Sequence, residues 1–334
     1  MAEPLLELRD LRVAFPTSAG EVRAVDGVSL TLERERILGV VGESGAGKSA
    51  LACAIPGILE PPGRVTGGEI RFDGRDLVNC PAGEMLRLRG GKIGMVFQDP
   101  MTSLNPVYTV GSQLCEAIRL HLPLRGAQAR ARAQELLGLV GVDAPARRLR
   151  QYPHELSGGM RQRVMIAMAL ACEPDILIAD EPTTALDVTI QAQILELMQD
   201  LQKKLGMAVI LVTHDLGVIA DMCDNIIVMY GGRICERGTA REIFYNPKHE
   251  YTKGLLRSIP SVNNMKKKLV PIAGTPINML NLPAGCAFCT RCDAAMKICL
   301  TEHPDELTIN ENHKAACWVN IRDRLMAEGG EGNV

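Results

Sequence analysis

The chain lacks the features that would tie it directly to a bilayer or to nucleic acid. No apolar stretch among its 334 residues reaches the roughly 18 residues of a membrane-spanning helix, and the longest candidates lie near Val164–Cys172 and Val209–Val212. Its net charge is −2, from 37 basic and 39 acidic residues, so no global field recruits nucleic acid or anionic lipid. The opening Met1-Ala2-Glu3-Pro4 has no basic segment followed by an apolar one. We therefore expect no signal peptide and a cytosolic location.

Apolar patterning predicts an α/β fold with more than one part. Apolar and polar residues alternate over residues 11–15 and 28–32, which favours half-buried antiparallel strands. The continuous apolar runs Ile176–Ala179 and Val209–Val212 suit strands buried on both faces of a parallel sheet. Residues from about 100 to 172 are helical in pattern, and after about 255 the composition shifts to Pro, Asn, Lys and clustered Cys. The sequence predicts an α/β domain over 1–255, with a helical subdomain at about 100–172, and a small Cys-rich domain over 256–334.

Residues Gly42–Ser49 match the phosphate-loop pattern G-x-x-x-x-G-K-[ST] in full. They lie between the apolar run Ile37–Val41 and the helix-like segment 51–55, which is the strand, loop and helix context that the pattern requires. The glycines let backbone N–H groups point at a polyphosphate, and the start of the helix adds partial positive charge. Lys48 would then reach the terminal phosphates, and the Ser49 hydroxyl would ligate Mg²⁺. The string therefore predicts binding of a nucleoside triphosphate.

Polar residues at the ends of predicted strands are candidates for hydrolysis. Asp180 and Glu181 follow a buried strand, where one carboxylate can hold Mg²⁺ through water and the other can polarise the attacking water. Gln98 follows the apolar run 93–97, and its amide can reach the metal and the water. His214 follows the strand 209–212 and can touch a γ-phosphate. In isolation each is better interpreted as a solvated or capped surface residue, but the intact phosphate loop favours the catalytic interpretation.

A second glycine-containing string, Leu156-Ser157-Gly158-Gly159-Met160, precedes the helical run Met160–Cys172. Ser157 is predicted to cap this helix, and the two glycines would let the backbone approach an anion. A helix cap without further function is the simpler interpretation.

Taken in order along the chain, these motifs resemble those of an ATP-binding subunit of an ABC transporter. The order is Walker A at 42–49, Q-loop at 98, LSGGM at 156–160, Walker B at 176–180, D-loop at 185–187 and switch histidine at 214. The resemblance implies a P-loop NTPase fold and a head-to-tail pair of ATPase domains with two ATP molecules between them. The resemblance implies nucleotide contacts by the loop residues Gly42, Glu43, Ser44, Gly45, Ala46, Gly47, Lys48 and Ser49, and stacking of adenine on Phe15. It implies that Ser49 and Gln98 contact Mg²⁺, with Asp180 acting through water, and that Glu181 is the general base, supported by His214, Gln98 and Lys48. It also implies that Ser157, Gly158, Gly159 and Asp187 act on the ATP of the partner.

Three further strings resemble the dipeptide, oligopeptide and nickel importers within this family. They are residues 97–106, 187–193 and 246–252, with Glu250 standing where those importers usually have Pro. The resemblance implies a subunit at the cytoplasmic face of the inner membrane. Its partners would be a second, related ATP-binding subunit, two membrane permeases and, indirectly, an extracytoplasmic solute-binding protein, with no nucleic acid. Peptide is the favoured solute, and nickel or another small solute stays open.

Five of the eleven cysteines fall within residues 286–317. The spacing of Cys286, Cys289 and Cys292 is similar to that of ferredoxins. In the peptide-importer family the tail pattern maps onto Cys286, Cys292, Cys299 and Cys317, and this resemblance implies a [4Fe–4S] cluster. Cys289 departs from the pattern and is either a substitute ligand or a bystander. A Zn²⁺ site, with His303 and His313 close in sequence, and simple buried thiols are the alternatives.

Two other classes of function stay open. One is an ABC-type ATPase without a transporter, of the kind that serves DNA repair or translation. Such proteins usually have a long coiled-coil insertion or two ATPase domains, and this chain has neither, nor a basic stripe. The other is a redox sensor with vestigial ATP binding, against which the intact Glu181 and His214 argue.

Overall fold

The computed structural model describes residues 3–184, 186–258 and 271–327. Its strands are β1 Leu6–Thr17, β2 Gly20–Leu32, β3 Ile37–Val41, β4 Arg64–Phe72, β5 Arg75–Asp76, β6 Ile93–Val96, β7 Ile176–Asp180, β8 Ala208–Thr213, β9 Asn225–Tyr230, β10 Arg233–Thr239, β11 Leu307–Asn310 and β12 His313–Ala315. Its helices are α1 Lys48–Ala54, α2 Ala82–Leu88, α3 Pro100–Ser103, α4 Val110–His121, α5 Gly126–Leu139, α6 Pro145–Arg148, α7 Gly158–Ala169, α8 Val188–Leu205, α9 Leu216–Ala220, α10 Ala240–Tyr245, α11 Glu250–Arg257, α12 Ile298–Thr301 and α13 Trp318–Ala327, with short 3-10 turns at Pro153–Glu155 and Cys289–Arg291.

The chain divides into two compact units. The first consists of Met1–Leu5, Leu32–Arg36 and Asp73–Val212. The second consists of Leu6–Thr31, Ile37–Phe72 and Thr213–Val334.

The first unit is built on parallel strands and a group of helices. β7 pairs in parallel with β6 on one side and with β8 on the other. All five residues of β7 are buried, as expected for an apolar strand with neighbours on both sides. The helices α4, α5 and α7 pack on one another, and side chains on them such as Leu114, Leu137 and Val164 are fully buried. This arrangement places the carboxyl end of β7, and the residues that follow it, at one edge of the sheet.

The second unit combines a mixed sheet with an antiparallel one. β9 pairs in parallel with β3 and antiparallel with β10, which in turn pairs with β12. β11 pairs with β12, so the C-terminal residues extend the sheet that carries β3 and the phosphate loop. β1 lies between β2 and β4, and it runs antiparallel to β4.

The secondary structure expected from the apolar patterns is confirmed. The two alternating segments lie in β1 and β2, the segment of helical pattern contains α4, α5 and α7, and the two continuous apolar runs are β7 and β8. β1 and β2 extend beyond the alternating segments, because backbone pairing continues into residues whose side chains are exposed. The domain boundary near residue 256 and the extent of the helical subdomain stay predictions. Within the described part of the chain, none of the helices is both long enough and apolar enough to cross a bilayer.

Candidate nucleotide-binding and catalytic residues

The phosphate loop connects β3 to α1 in the second unit, as its sequence pattern predicts. Gly47 adopts a left-handed backbone conformation with φ of 98°, and α1 starts at the next residue, Lys48. A Cβ at Gly47 would lie 2.0 Å from the carbonyl oxygen of Ala24, and one at Gly42 would lie 2.3 Å from that of Met229. Glycine is therefore required at both positions by the close approach of neighbouring backbone.

Lys48 is buried and folds back over the loop that precedes it. Its Nζ donates hydrogen bonds to the carbonyl oxygens of Gly42, at 2.8 Å, and Glu43, at 3.0 Å. The neighbouring Ser44, Gly45 and Ser49 are exposed, whereas Ala46 is buried. The loop thus holds a cationic side chain against its backbone while presenting polar and glycine residues at the surface, which is the chemistry needed to receive an anionic polyphosphate.

Two residues far along the chain hold the loop, and the sequence patterns did not single out either as functional. The hydroxyl of Tyr251 accepts a hydrogen bond from the Glu43 N–H at 2.7 Å. The guanidinium of Arg291 donates to both carboxylate oxygens of Glu43, at 2.6 and 3.0 Å. Tyr251 lies in the 246–252 string that resembles the peptide and nickel importers, and Arg291 lies between two of the clustered cysteines.

The first unit brings Gln98 and Glu181 together, two of the predicted catalytic residues. Gln98 Nε2 donates to Glu181 Oε2 at 3.1 Å, and Thr184 Oγ1 donates to the same oxygen at 2.9 Å. Glu181 directly follows β7 in a left-handed conformation with φ of 47°, and its N–H donates to the carbonyl oxygen of Val212. Such a conformation costs a non-glycine residue about 1–3 kcal/mol and is concentrated at functional sites. Asp180, the last residue of β7, is buried.

The LSGGM string forms the start of α7 in the first unit. Ser157 Oγ accepts a hydrogen bond from the Met160 N–H at 3.4 Å, which confirms the predicted N-cap. Asp187 caps α8 in the same way by accepting from the Ile190 N–H at 3.0 Å. A Cβ at Gly159 would lie 2.9 Å from Cγ2 of Ile190, so the two helix starts pack closely. Ser157 and Gly158 are exposed. Ala185 of the D-loop lies outside the described residues.

His214 and Phe15 lie in the second unit. His214 is exposed and comes directly after β8, where the Asp215 N–H donates to Thr213 Oγ1 at 3.0 Å. Phe15 is half-buried in β1, and its ring lies so close to Gly63 that a Cβ there would be 2.3 Å from Phe15 Cε1. The phosphate-contacting role of His214 and the adenine-stacking role of Phe15 stay predictions.

The clustered cysteines are neighbours in the second unit. The Cys286 N–H donates to the carbonyl oxygen of Cys299 at 2.8 Å. Burial, together with the nearby Cys299, Cys317 and Cys289, raises the pKa of the Cys286 thiol to about 12. Burial also raises the pKa of Cys292 to about 11, with Cys317 and Cys299 adding to the rise. Cys299 and Cys317 therefore raise the pKa of both Cys286 and Cys292.

The predicted metal site at these cysteines is not confirmed. Among the residues that the structure describes, no group of three or more His, Cys, Asp or Glu side chains is arranged to hold a metal ion. His313, considered as a zinc ligand, is instead buried with its Nε2 2.7 Å from Glu236 Oε1. The iron–sulfur and zinc assignments stay predictions.

Comparisons with known proteins agree with the motifs. The family described as ABC transporter matches residues 25–184, and the family described as oligopeptide/dipeptide transporter, C-terminal region, matches residues 235–299. The chain is 50% identical to the dipeptide transport ATP-binding protein DppD of Bacillus subtilis over 95% of each chain. It is 49% identical to the oligopeptide transport ATP-binding protein OppD of Escherichia coli, over 97% of this chain and 96% of that one.

Solved structures are similar as well. The dimeric ATP-binding cassette MJ0796, in a post-hydrolysis state bound to ADP and phosphate, has a TM-score of 0.64 and 29% identity, covering 71% of this chain and 99% of that one. The structure of cbiO1 from Clostridium perfringens, part of the ABC transporter complex cbiONQ, has a TM-score of 0.63 and 31% identity, covering 73% and 92%.

Proposed function

The chain belongs to the ATP-binding subunits of ABC transporters, in the oligopeptide and dipeptide transporter family, and on this premise we propose that it powers the import of di- or oligopeptides. It is an ATPase of that family. The observation that carries the peptide assignment is likeness along nearly the whole chain, because it includes the segment 235–299 beyond the motifs shared with other ABC ATPases. Energy from hydrolysis would drive solute movement through separate permease subunits.

In the proposed hydrolysis, Glu181 accepts a proton from a water molecule while the water oxygen attacks the γ-phosphorus and ADP leaves. The hydrogen bonds from Gln98 and Thr184 support this role, because they orient the carboxylate. Lys48 would neutralise the terminal phosphates, and His214 would contact the γ-phosphate. The remaining phosphate-loop residues would bind phosphate oxygens through their N–H groups, and Phe15 would stack on adenine.

Mg²⁺ would be held by the hydroxyl of Ser49 and the amide oxygen of Gln98, with Asp180 acting through water. Hydroxyl, amide and carboxylate oxygens are the donors that this hard cation prefers, so the residues fit the ion. When bound, the ion neutralises charge that develops on the phosphate oxygens. The residues themselves position the nucleotide and the water.

We propose that Ser157, Gly158, Gly159 and Asp187 act on the ATP of a second subunit. The exposure of Ser157 and Gly158 at the start of α7 supports this, since backbone N–H groups at a helix start attract phosphate. The second subunit is proposed to be a related but non-identical ATP-binding protein. Two permeases and a solute-binding protein would complete a transporter at which this subunit lies on the cytoplasmic face of the inner membrane.

We further propose a [4Fe–4S] cluster on Cys286, Cys292, Cys299 and Cys317. Four thiols suit iron–sulfur ligation, and the electrostatic influence of Cys299 and Cys317 on both Cys286 and Cys292 supports the proximity of these four residues. Cys289, which also acts on Cys286, is the alternative ligand. The thiol side chains would have to reorient to bind the cluster, because they are not arranged as ligands. Anaerobic purification with iron and sulfide analysis tests the proposal. A brown protein with broad visible absorption is expected, and a colourless or zinc-containing protein would contradict it.

Transport is tested by reconstituting the subunit with its co-purified partners in lipid vesicles. We expect ATP hydrolysis that depends on permeases and rises with peptide-loaded binding protein, together with peptide uptake. Uptake of nickel instead of peptide would support the alternative solute. Purification of the native complex without any permease would contradict a transport function.

A further inference from the structure

The C-terminal cysteine segment contacts the phosphate loop directly through one side chain. Arg291, at the end of the 3-10 turn that begins at Cys289, extends to the carboxylate of Glu43 within the Walker A string. The two hydrogen bonds, at 2.6 and 3.0 Å, form a bidentate pair. The side chain of Arg291 is 3% exposed and that of Glu43 is 25% exposed. A bidentate pair at low exposure is geometrically specific and poorly screened by solvent.

The guanidinium of Arg291 is also held in place by contacts other than the one with Glu43. Its Nε donates to the carbonyl oxygen of Ala273 at 2.9 Å, and Nη1 donates to the hydroxyl of Tyr230 at 3.2 Å. The group lies 5.8 Å from the ring centroid of Tyr230 and 5.9 Å from that of Phe288. These contacts use the planar shape of the guanidinium, which the ammonium of lysine lacks.

Glu43 connects this guanidinium to the residues that bind phosphate. Its N–H donates to Tyr251, its carbonyl oxygen accepts from Lys48 Nζ, and its carboxylate accepts from Arg291. The Tyr251 ring packs in turn on Tyr230 and Phe288, at centroid distances of 4.6 and 5.3 Å. Tyr251 therefore fixes the backbone of Glu43, and Arg291 fixes its side chain.

We propose that Arg291 is a positioning residue of the ATP site. It holds the phosphate loop, and through Glu43 the side chain of Lys48, in the arrangement that receives nucleotide. Nucleotide affinity thus depends on the fold of the cysteine segment, because Arg291 stands between Cys289 and Cys292. The inference rests on the proposed ATP-binding role of the loop and adds a residue outside the shared ABC motifs to it.

The test measures the Kd of a fluorescent ATP analogue with Mg²⁺ on the full chain, and kcat and KM for ATP in the transporter reconstituted with its partner subunits. Arg291→Ala is expected to raise Kd and KM by about tenfold, while kcat stays within about twofold of wild type. Arg291→Lys should lie between the two, because it keeps the charge but loses the bidentate geometry. Arg322→Ala is the matched control, since Arg322 is in the same C-terminal segment and forms its ion pair with its exposed sequence neighbour Asp323.

A double-mutant cycle with Glu43→Gln distinguishes a specific effect of the Arg291–Glu43 pair on nucleotide Kd from a general loss of stability. In Arg291→Ala, removal of the Glu43 charge should have little additional effect on Kd, so the two changes should not add. Additive effects, or equal losses in Arg291→Ala and Arg322→Ala, would overturn the proposal. If Arg291→Ala does not fold, a wild-type Kd in the folded Arg291→Lys variant would overturn it. Failure of the wild-type chain to bind ATP would instead contradict the proposed function.

Discussion

Gln98 Nε2 and Glu181 Oε2 are joined by a hydrogen bond of 3.1 Å between residues 83 positions apart. Glu181 stands after β7 and Gln98 two residues after β6, which is the parallel neighbour of β7. Because the carboxyl ends of parallel neighbours meet at one edge of a sheet, the pairing follows from strand order. Thr184 donates to the same oxygen and completes a small cluster that orients the carboxylate.

Glu181→Gln tests the general base. The amide has nearly the same shape but cannot accept the proton, so ATP binding should persist while kcat falls by about 10²–10⁴-fold. Phosphate release and nucleotide Kd are measured together, with Glu196→Gln on the exposed face of α8 as the control. Undiminished hydrolysis would remove Glu181 as the base.

Lys48→Ala tests the phosphate contact. The variant loses the ammonium that now bonds the carbonyl oxygens of Gly42 and Glu43. Nucleotide Kd should rise by about 100-fold, the scale of a charge-assisted contact. Equilibrium binding checks this, and Lys92→Ala, which removes an exposed lysine paired with Asp175, should leave Kd unchanged. A similar Kd in both variants and wild type would contradict the role of Lys48.

Ser157→Ala tests the helix cap at the LSGGM string. Loss of the hydroxyl leaves the Met160 N–H without its cap and should lower the free energy of unfolding by about 1 kcal/mol. Ser157→Thr keeps a capping hydroxyl and should recover most of that loss. Urea denaturation gives both values, and an alanine variant as stable as wild type would show that the cap contributes nothing.

The pH dependence of stability should depend on His249. This residue is buried at the start of α11, where its Nδ1 accepts the Tyr251 N–H at 3.0 Å, and burial lowers its pKa from 6.5 to about 4. The unfolded chain therefore binds the proton more tightly, so stability present above pH 6.5 is lost as the pH falls towards 4, by about 3 kcal/mol for this group. Its charged or titratable neighbours are Glu236, Glu250, His303 and Lys253.

His249→Asn isolates that contribution, because asparagine can still cap α11 but does not titrate. Urea denaturation at pH 7.5, 6 and 5 is expected to show a smaller loss of stability for the variant than for wild type. Parallel pH profiles for the two proteins would contradict the assignment to His249.

Local sequence patterns were sufficient to predict β1, β2, β3, β7 and β8, the phosphate loop and the cap at Ser157. A glycine-containing loop between an apolar strand and a helix can be predicted from about ten consecutive residues, because its backbone geometry depends on residues that are close in sequence. Three candidate catalytic residues could be predicted for a related reason, because polar residues at the ends of buried strands stand out in an otherwise apolar segment. They are Asp180, Glu181 and Gln98.

The support of the phosphate loop could not be predicted in this way. Arg291 and Glu43 are 248 positions apart, and each alone is an ordinary charged residue. Only the path of the chain brings the 3-10 turn at Cys289–Arg291, the ring of Tyr251 and the phosphate loop together within one unit. The residues that bind nucleotide can thus be predicted from short sequence motifs, because their chemistry needs particular residues at fixed spacing. The side chains that hold that chemistry in place depend on long-range packing, which no spacing along the chain reveals.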